Sequence, residues 1–432
     1  MYTNNRRDFL KKSALAAGVG MLPATAQPSP SFNQMRYSPL EGIARENVKI
    51  TDVKVTLLSF KLPKDQQWVS ATFLVPKTDA FLIEVFTDQG VVGIGESSPY
   101  RGMERMKSYV EDVIRPNLIG KNPFDVELLT ASSEAAWAGV DVALWDIIGK
   151  VKNKPVYQLL AGDVATDTHI RMYASGGVQF AWYDNPEQLI EEALMHKEKG
   201  YTAFKYRLGT DWEADGITVD DFVPLIAKLR KAVGDDFDLM QEHNMRLSLE
   251  QNLAIAPALE EYDIFWLEEP LRQNEPDSVD KHLLIKEKLP TVMISGGENF
   301  NTRTQFKEYL DRDAFDIVQN DVNQTGLTEG WYIAHMAKLK NKYCVPHNWH
   351  GGLTTMANAH LVAAIPNRLI LELNQTFNPF KEEIFKDPMV VKNGYLDVPD
   401  RPGYGMELID NVARKFPYFE GGWAITNPNL SN

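Results

Sequence analysis

The sequence lacks the cysteines that a disulfide needs. Cys344 is the single cysteine among 432 residues, so no disulfide can form within the chain. It lies in the apolar run Tyr343-Cys344-Val345, which is typical of a buried thiol that packs and does not react. We therefore expect Cys344 to be an inert core residue.

Blocks of positive charge are also lacking after the N-terminal segment. The formal net charge is −14, from 45 basic and 59 acidic residues. This balance argues against nucleic acid and against an anionic membrane surface as partners, because both bind basic patches. An anionic small molecule remains compatible, since a metal ion and a few local Lys or Arg side chains reverse the field inside one pocket.

The N-terminal segment has the order of an export signal. The run Asn5-Arg6-Arg7-Asp8-Phe9-Leu10-Lys11-Lys12 looks like a twin-arginine motif, and an apolar stretch over residues 13–22 precedes the cleavage pattern Ala24-Thr25-Ala26. The apolar stretch is too short to span a bilayer. We expect residues 1–26 to be a signal peptide that directs the protein to the periplasm and leaves no membrane anchor. The alternative is the basic N-terminus of a cytosolic protein.

The next part of the chain predicts a small α+β domain. Residues 27–47 are rich in Pro, Ser and Asn and are typical of a linker or a lightly held arm. An α+β domain over residues 48–165 follows from two kinds of periodicity. Alternating residues predict antiparallel strands over 48–60 and 80–86, with Asp88-Gln89-Gly90 as a hairpin turn, and helical periodicity covers residues 105–118 and 123–149.

From residue 166 to 378, short apolar runs alternate with amphipathic helices. The helices include residues 186–199, 221–233 and 247–260. The strand-like runs cover residues 170–174, 203–206, 237–241, 264–267, 292–295, 317–319, 343–345 and 369–373. Eight strands that alternate with helices predict a (β/α) barrel of the α/β class. Residues 379–432 return to short strands, which we expect to pack back on the first domain.

Three of these strands end in a carboxylate. Glu242, Glu268 and Glu298 each follow a buried run, and in a parallel barrel they would meet at the carboxyl end of the strands. Three hard oxygen ligands on rigid strands suit Mg²⁺. A solvated loop acid, or an acid that pairs with an arginine, is the alternative for each glutamate taken alone. The repetition at three strand ends favours the metal site.

Other strand ends carry further chemistry. Lys205 and Arg207 are two residues apart on one strand, so both should point into the barrel mouth. Asp321 and His347 end neighbouring strands, where the carboxylate would orient the imidazole and raise its basicity. Glu372 ends the last strand. Next to the metal it would be held protonated and would donate a hydrogen bond to a developing oxyanion.

A metal triad, a pair of cations and an Asp-His pair together suit removal of the proton next to a carboxylate. That proton is weakly acidic, and the enolate that forms carries two negative charges on one carboxyl group. A divalent metal and a Lys lower this cost far more than substrate binding alone.

A set of motifs distributed over residues 48–415 makes the resemblance to a known family specific. The motifs are Asp141-Val142-Ala143-Leu144-Trp145-Asp146-Ile147-Ile148-Gly149-Lys150, Pro155, Leu159-Leu160-Ala161-Gly162, Trp266-Leu267-Glu268-Glu269-Pro270, Gly297-Glu298, Asp321 with Gly326, Pro346-His347 and Pro402-Gly403-Tyr404-Gly405. With these, the chain resembles the enolase superfamily in its mandelate racemase and muconate lactonizing enzyme branch. The resemblance implies a modified (β/α)7β barrel, an N-terminal capping domain completed by the C-terminal segment, Mg²⁺ on the three acids and a homo-oligomer.

Within that branch, the Asp321 and His347 pair resembles the mandelate racemase subgroup, many of whose members dehydrate sugar acids. Two residues depart from the pattern of the family. Glu242 stands where an Asp is usual, although it is still a hard oxygen ligand. Arg207 stands where a second Lys would serve as a base, and arginine stays protonated. Racemization by two bases is therefore disfavoured.

A reaction with one base remains open. Lys205 and Arg207 would hold the carboxylate and the developing charge, and His347 would take the α-proton and then assist loss of the leaving hydroxyl. His350 and His243 are alternative acids, although a strand residue between two inward-facing ones, as His243 is, normally points away.

Residues outside the catalytic set would bind the rest of the substrate. The capping-domain loops over residues 64–75 and 97–106 should contact its far end, with Lys64, Trp68, Tyr100 and Arg101 suited to a polar or anionic group. Asn244, two residues after Glu242, is also expected to bind the substrate. Ordinary loop positions are the alternative for each of them.

Three hypotheses follow for the function. The first is a Mg²⁺-dependent sugar-acid dehydratase that yields a 2-keto-3-deoxy acid. The second is a racemase or epimerase, which needs an additional base near Arg207. The third is an exported sugar-acid binding protein without turnover.

Overall fold

The computed structural model describes residues 36–70, 73–178, 185–207 and 216–426. The predicted signal peptide and the start of the predicted linker lie outside these residues. The arm over residues 38–47 is held along the N-terminal domain by Ser38, which bonds Glu127, and by Arg45, which pairs with Asp125.

The N-terminal domain begins with five strands. They are β1 (Ile50–Lys61), β2 (Trp68–Ser70), β3 (Phe73–Val75), β4 (Lys77–Thr87) and β5 (Val92–Ser97). Strands β1, β4 and β5 form an antiparallel sheet in that order, and β2 and β3 form a separate hairpin. The expected turn at residues 88–90 joins β4 to β5.

Helices follow these strands. They are α1 (Met103–Tyr109), continued by a π-helical turn (Val110–Ile114), then α2 (Arg115–Leu118), α3 (Val126–Leu129), α4 (Ala135–Val151) and α5 (Val156–Ala161). Helix α4 lies directly on β5, where a Cβ atom on Gly95 would be 1.9 Å from the Gly139 carbonyl oxygen. Glycine is required there because the two backbones are in contact.

The single helix predicted over residues 123–149 is wrong, because residues 130–134 break it. The Thr130 hydroxyl lies 2.8 Å from the Val126 carbonyl and 2.8 Å from the Asp141 carboxylate. Side chains of Thr and Ser compete for backbone partners in this way, and two serines follow Thr130.

The barrel consists of eight parallel strands in the described part of the chain. They are β6 (His169–Gly176), β7 (Ala203–Arg207), β8 (Asp238–Glu242), β9 (Ile264–Glu268), β10 (Met293–Gly296), β11 (Ile317–Val318), β12 (Tyr343–Cys344) and β13 (Leu371–Asn374). Each strand pairs with its neighbour in chain order up to β12, and β13 pairs with β6. A parallel bridge between Cys344 and Arg368 closes the ring.

Seven described helices connect these strands. They are α6 (Gln188–Glu198), α7 (Val219–Val233), α8 (Leu249–Glu261), α9 (Ser278–Lys286), α10 (Arg303–Asp311), α11 (Val322–Leu339, kinked at Gly326) and α12 (Gly352–Ala364). The order is (β/α)7β, so the predicted fold class is confirmed. Cys344 is buried, as expected.

The interior of the barrel is layered. An apolar layer includes Met240 and Trp266, which are fully buried. Residues two positions further along the same strands, Glu242 and Glu268, point into the same interior, since strand side chains alternate with a period of two. An apolar plug therefore underlies a polar layer at the carboxyl end.

The C-terminal segment contacts both the barrel and the capping domain. It contains β14 (Val391–Lys392), β15 (Tyr395–Asp397), α13 (Val412–Lys415) and β16 (Ile425–Thr426). Strand β15 pairs antiparallel with β6, and β16 pairs with β3 of the capping domain. The segment therefore packs on the first domain, as expected, and it also packs on the barrel.

Within the described residues, no helix combines the length and the apolar character needed to cross a membrane.

Asp146 joins three elements of the fold. Its carboxylate accepts hydrogen bonds from the backbone of Ile94 (3.0 Å) and Tyr404 (3.1 Å) and pairs with Lys150 (2.6 Å). Gly403 lies against it, with φ +69°, and a Cβ there would be 2.1 Å from Asp146 Oδ1.

We predict that Gly403→Ala lowers the free energy of unfolding by about 2–4 kcal/mol, because it adds a clash to an unfavourable backbone conformation. Gly90→Ala is the matched control, since Gly90 also has positive φ (+74°) but open space around it. Urea unfolding measures both, and equal losses for the two variants would contradict the role of the Asp146 contact.

Candidate active site

Three carboxylates converge at the mouth of the barrel. Glu242 ends β8, Glu268 ends β9, and Glu298 follows β10 by two residues. One oxygen from each lies within 4.8 Å of the other two. The strand order brings these residues together, since β8, β9 and β10 are neighbours with their carboxyl ends at one edge.

Lys205 lies at the base of this group and is fully buried. Its Nζ is 3.1 Å from Glu242 and 3.0 Å from Glu372, and it also pairs with Glu268. Burial alone would lower the pKa of Lys205, but the three carboxylates raise it well above its usual value. The three carboxylates therefore favour the charged form of Lys205.

Arg207 is the second cation and points the same way as Lys205. It pairs with Glu242, and its guanidinium lies 4.2 Å from the centre of the Trp349 ring. The intervening Tyr206 points outward and donates to Gln241 at 2.8 Å. The cation–π contact and the ion pair fix the guanidinium from two sides.

The triad has the properties of a cation site. Burial and the neighbouring carboxylates raise the pKa of Glu268 to about 7, and burial also raises the pKa of Glu298. The adjacent Glu269 is buried, and among the described residues neither of its carboxylate oxygens has a hydrogen-bond partner. So much crowded negative charge fits a divalent cation held by Glu242, Glu268 and Glu298.

His347 faces the triad and is oriented by Asp321. The Nδ1 atom is 2.7 Å from Asp321, and Nε2 is 3.4 Å from Glu298. Burial would lower the pKa of His347, but Glu298 and Asp321 raise it to about 10. A cation on the triad would offset part of that field, because it neutralises Glu298. The Nε2 atom is thus the one aimed at the metal site.

Two other histidines differ in their surroundings. His350 Nε2 lies 2.9 Å from the same Asp321 oxygen that holds His347. His243 instead contacts Gln241 (2.6 Å) and Asn252 (2.8 Å) on the helix side of the sheet. Burial lowers the pKa of His243 to about 4. His350 therefore belongs to the site, and His243 faces away from it.

The expected protonated state of Glu372 is wrong. Burial would raise its pKa, but Lys205 and His347 lower it to about 2. Lys205 contacts Oε1 of Glu372, and the backbone N–H of Asn348 donates to Oε2 of Glu372 at 2.7 Å. Glu372 is an ionised partner of Lys205 and not a hydrogen-bond donor.

Aromatic residues from three parts of the chain form a roof over the cations. Trp68 meets Trp349 edge-on with ring centres 5.6 Å apart, and Tyr100 lies 4.5 Å from Trp423 and 5.2 Å from His350. The Tyr100 hydroxyl donates to the Trp349 carbonyl at 3.3 Å. The roof shields the site from water.

The remaining expected binding residues differ in position. Arg101 donates to Gln324 Oε1 at 3.0 Å, beside the site. Asn244 donates to Glu242 and so touches the triad. Lys64 is exposed on a 3₁₀ turn (Lys64–Gln66), without a hydrogen bond or ion pair to another described residue. The structure does not bring Lys64 into the site.

Several site residues were absent from the prediction. Trp349 and Trp423 lie outside any strand end and carry no sequence signal that points to the mouth. Glu269 follows Glu268 directly, so alternation would turn it outward, but its φ of +43° turns the chain. A pair of acids before a proline is the signal that could have identified it. Gln319 also contacts the triad, since it donates to Glu268 at 2.6 Å.

Two family models match the chain. The description "Mandelate racemase / muconate lactonizing enzyme, N-terminal domain" matches residues 61–161, and "Enolase C-terminal domain-like" matches residues 188–412. The two matched ranges contain most of the capping domain and most of the barrel.

Individual proteins are similar over most of their length. The arabinonate dehydratase of Saccharolobus solfataricus is 30% identical, over 77% of this chain and 89% of the relative. The D-galactarolactone cycloisomerase of Agrobacterium fabrum is 28% identical, over 85% of this chain and 99% of the relative. The crystal structure of the 3,6-anhydro-D-galactonate cycloisomerase from Zobellia galactanivorans gives a TM-score of 0.72 at 31% identity, over 85% of this chain and 99% of that chain.

We predict that the protein binds one divalent cation and that Glu298→Gln weakens binding at least about tenfold, because a neutral amide replaces one charged ligand. Calorimetric titration with Mg²⁺ measures the affinity, and Mg²⁺ should raise the melting temperature of the wild type. Glu287→Gln makes the same change at an exposed position and should bind normally. Unchanged affinity in Glu298→Gln would remove that residue from the ligand set.

Proposed function

Because the chain belongs to the mandelate racemase and muconate lactonizing enzyme family of the enolase superfamily, we propose that it is a sugar-acid dehydratase that works with Mg²⁺. The chain is an enzyme. Its relatives favour lyase activity, and isomerase activity is the alternative. The observation that carries the proposal is the asymmetry of the mouth. His347, oriented by Asp321, lies on one side, and Arg207, which cannot accept a proton, lies with Lys205 on the other.

The α-proton leaves to His347. Its Nε2 takes the proton, while Asp321 holds Nδ1 and stabilises the imidazolium that forms. Lys205 and Arg207 balance the negative charge that develops on the substrate carboxyl group. A bound divalent cation would supply further charge neutralisation at that group.

The same histidine completes the elimination. Protonated His347 returns its proton to the leaving hydroxyl at the next carbon, so that water departs as the C–O bond breaks and a C=C bond forms. The resulting enol becomes a 2-keto-3-deoxy acid. His347 thus serves as the base for proton removal and as the acid for hydroxyl loss. Both steps therefore need only one base in the site.

The alternatives require different residues. A racemase or epimerase needs a base where Arg207 lies, and a binding protein without turnover has no need of an oriented imidazole. The relatives named cycloisomerases act on a sugar lactone or an anhydro sugar acid by name, so the products tested below include isomers.

Location and assembly complete the proposal. Residues 1–26 would direct the enzyme to the periplasm by the twin-arginine route, which carries folded proteins and so fits an enzyme that loads its metal before export. Resemblance to the family supports a homo-oligomer.

The first experiment is a screen of the Mg²⁺-loaded protein against mono- and diacid sugars, with 2-keto acids detected as their semicarbazones. We predict a product with at least one sugar acid. His347→Asn should lower kcat by roughly 10²–10⁴-fold, the usual worth of a positioned base. Absence of 2-keto acid from every substrate would reject dehydration. An epimer among the recovered acids would then indicate an isomerase, and an unchanged bound acid a binding protein.

A second experiment tests the number of bases. In D₂O, substrate recovered from the wild-type reaction should carry deuterium at the α-carbon, and the configuration of that carbon should be unchanged. The reason is that His347 reaches only one face of the substrate. His347→Asn should exchange none. NMR of the recovered acid measures both, and deuterium in an inverted product would show a second base.

A further inference from the structure

A cleft of about 460 Å³ lies beside the carboxylate triad. Three arginines from different segments line it: Arg101 before α1, Arg246 after β8 and Arg272 after β9. Asn244 and Asn299 also line the cleft, and they donate to Glu242 and Glu298, the latter at 3.4 Å. The cleft therefore continues from the metal site.

The charge of these arginines is not balanced. Arg101 contacts the neutral Gln324 amide, and within the described ranges no carboxylate lies at ion-pair distance from Arg101, Arg246 or Arg272. The situation differs from that of the mouth, where Lys205 and Arg207 already pair with acids. Three unpaired cations in one cleft are notable in a chain with a net charge of −14.

We propose that this cleft binds a second anionic group, at the far end of a sugar acid whose first carboxylate lies at the triad. The inference rests on the proposed function, since it places the reacting carboxyl group at the triad, where Lys205 and Arg207 balance its charge. The reacting end of the substrate needs no further cation, so the arginines of the cleft would bind a second anionic group at the far end. Guanidinium groups bind carboxylates and phosphates through paired hydrogen bonds, so both anions share this chemistry.

The cleft also accounts for the attraction of an anion to an acidic protein. The overall field repels a dianion, but three arginines that surround one concave surface reverse the potential locally. Specificity would follow as well, because a neutral hydroxymethyl end would leave the guanidinium groups without a partner.

The first test uses sulfate alone, titrated calorimetrically into the Mg²⁺-loaded full chain. One site should appear in the wild type and should be lost in the double variant Arg246→Gln/Arg272→Gln. Arg414→Gln, which removes the same charge at an exposed position away from the cleft, should bind as the wild type does. Absent sulfate binding, or equal binding in all three proteins, would overturn the proposal.

The second test asks whether the anion is the far end of the substrate. Galactarate and galactonate differ only at C6, as carboxylate or hydroxymethyl, and 6-phosphogluconate and gluconate form a matched pair with a phosphate ester. Binding is measured in His347→Asn so that the acids are not consumed. At least one dianion should bind about tenfold or more tightly than its partner, and the cleft variant should abolish the difference while leaving the monoanion unchanged.

The outcomes separate this inference from the proposed function. Dehydration of monoacids without any dianion preference would retain the function and reject the substrate end assigned here. A dianion preference that depends on the arginines, without 2-keto acid from the wild type, would retain the cleft and reject dehydration. The pair with the larger preference identifies the anion as carboxylate or phosphate.

Discussion

The site depends on one buried ammonium group. Lys205 contacts Glu242, Glu268 and Glu372, which belong to three different strands, and it is fully shielded from water. An isolated charge at this depth would be prohibitively costly, as would each carboxylate alone. Because each member compensates the others, the group fixes where the strands end relative to one another. The same contacts set the positions of two of the triad carboxylates.

The layers around this group divide the work of the fold. Below it, an apolar plug that contains Met240 and Trp266 makes the strand ends rigid, which suits ligands that must keep their positions. Above it, the capping domain and the C-terminal segment supply the aromatic roof. The barrel thus carries the residues for chemistry, and the segments outside it enclose the substrate. Such a division agrees with chemistry at the carboxyl end of a barrel.

The sequence predicts the strand ends well because they follow from local rules. A period of two places Lys205 with Arg207, and chain order places the strands that carry Glu242, Glu268 and Glu298 side by side. Trp68 and Tyr100 of the roof were expected from the loops of the capping domain. Trp349 and Trp423 were not predictable, because they meet their partners only through contacts between distant segments.

Two further errors have physical causes. The charge state of Glu372 depends on its 3.0 Å contact with Lys205, a distance that no motif contains. The break at residues 130–134 arises from side-chain bonds of Thr130 that override helical periodicity.

The way the roof is held has a consequence for the order of folding and for access. Strand β16 joins the cap by pairing with β3 over two residues, and both Ile425 and Thr426 are exposed. Pairings between such distant parts of a chain form late, and a short exposed strand is among the first elements to open. The barrel can therefore be complete before the site is enclosed. After folding, local release of this strand would open the aromatic roof and leave the catalytic strands in place.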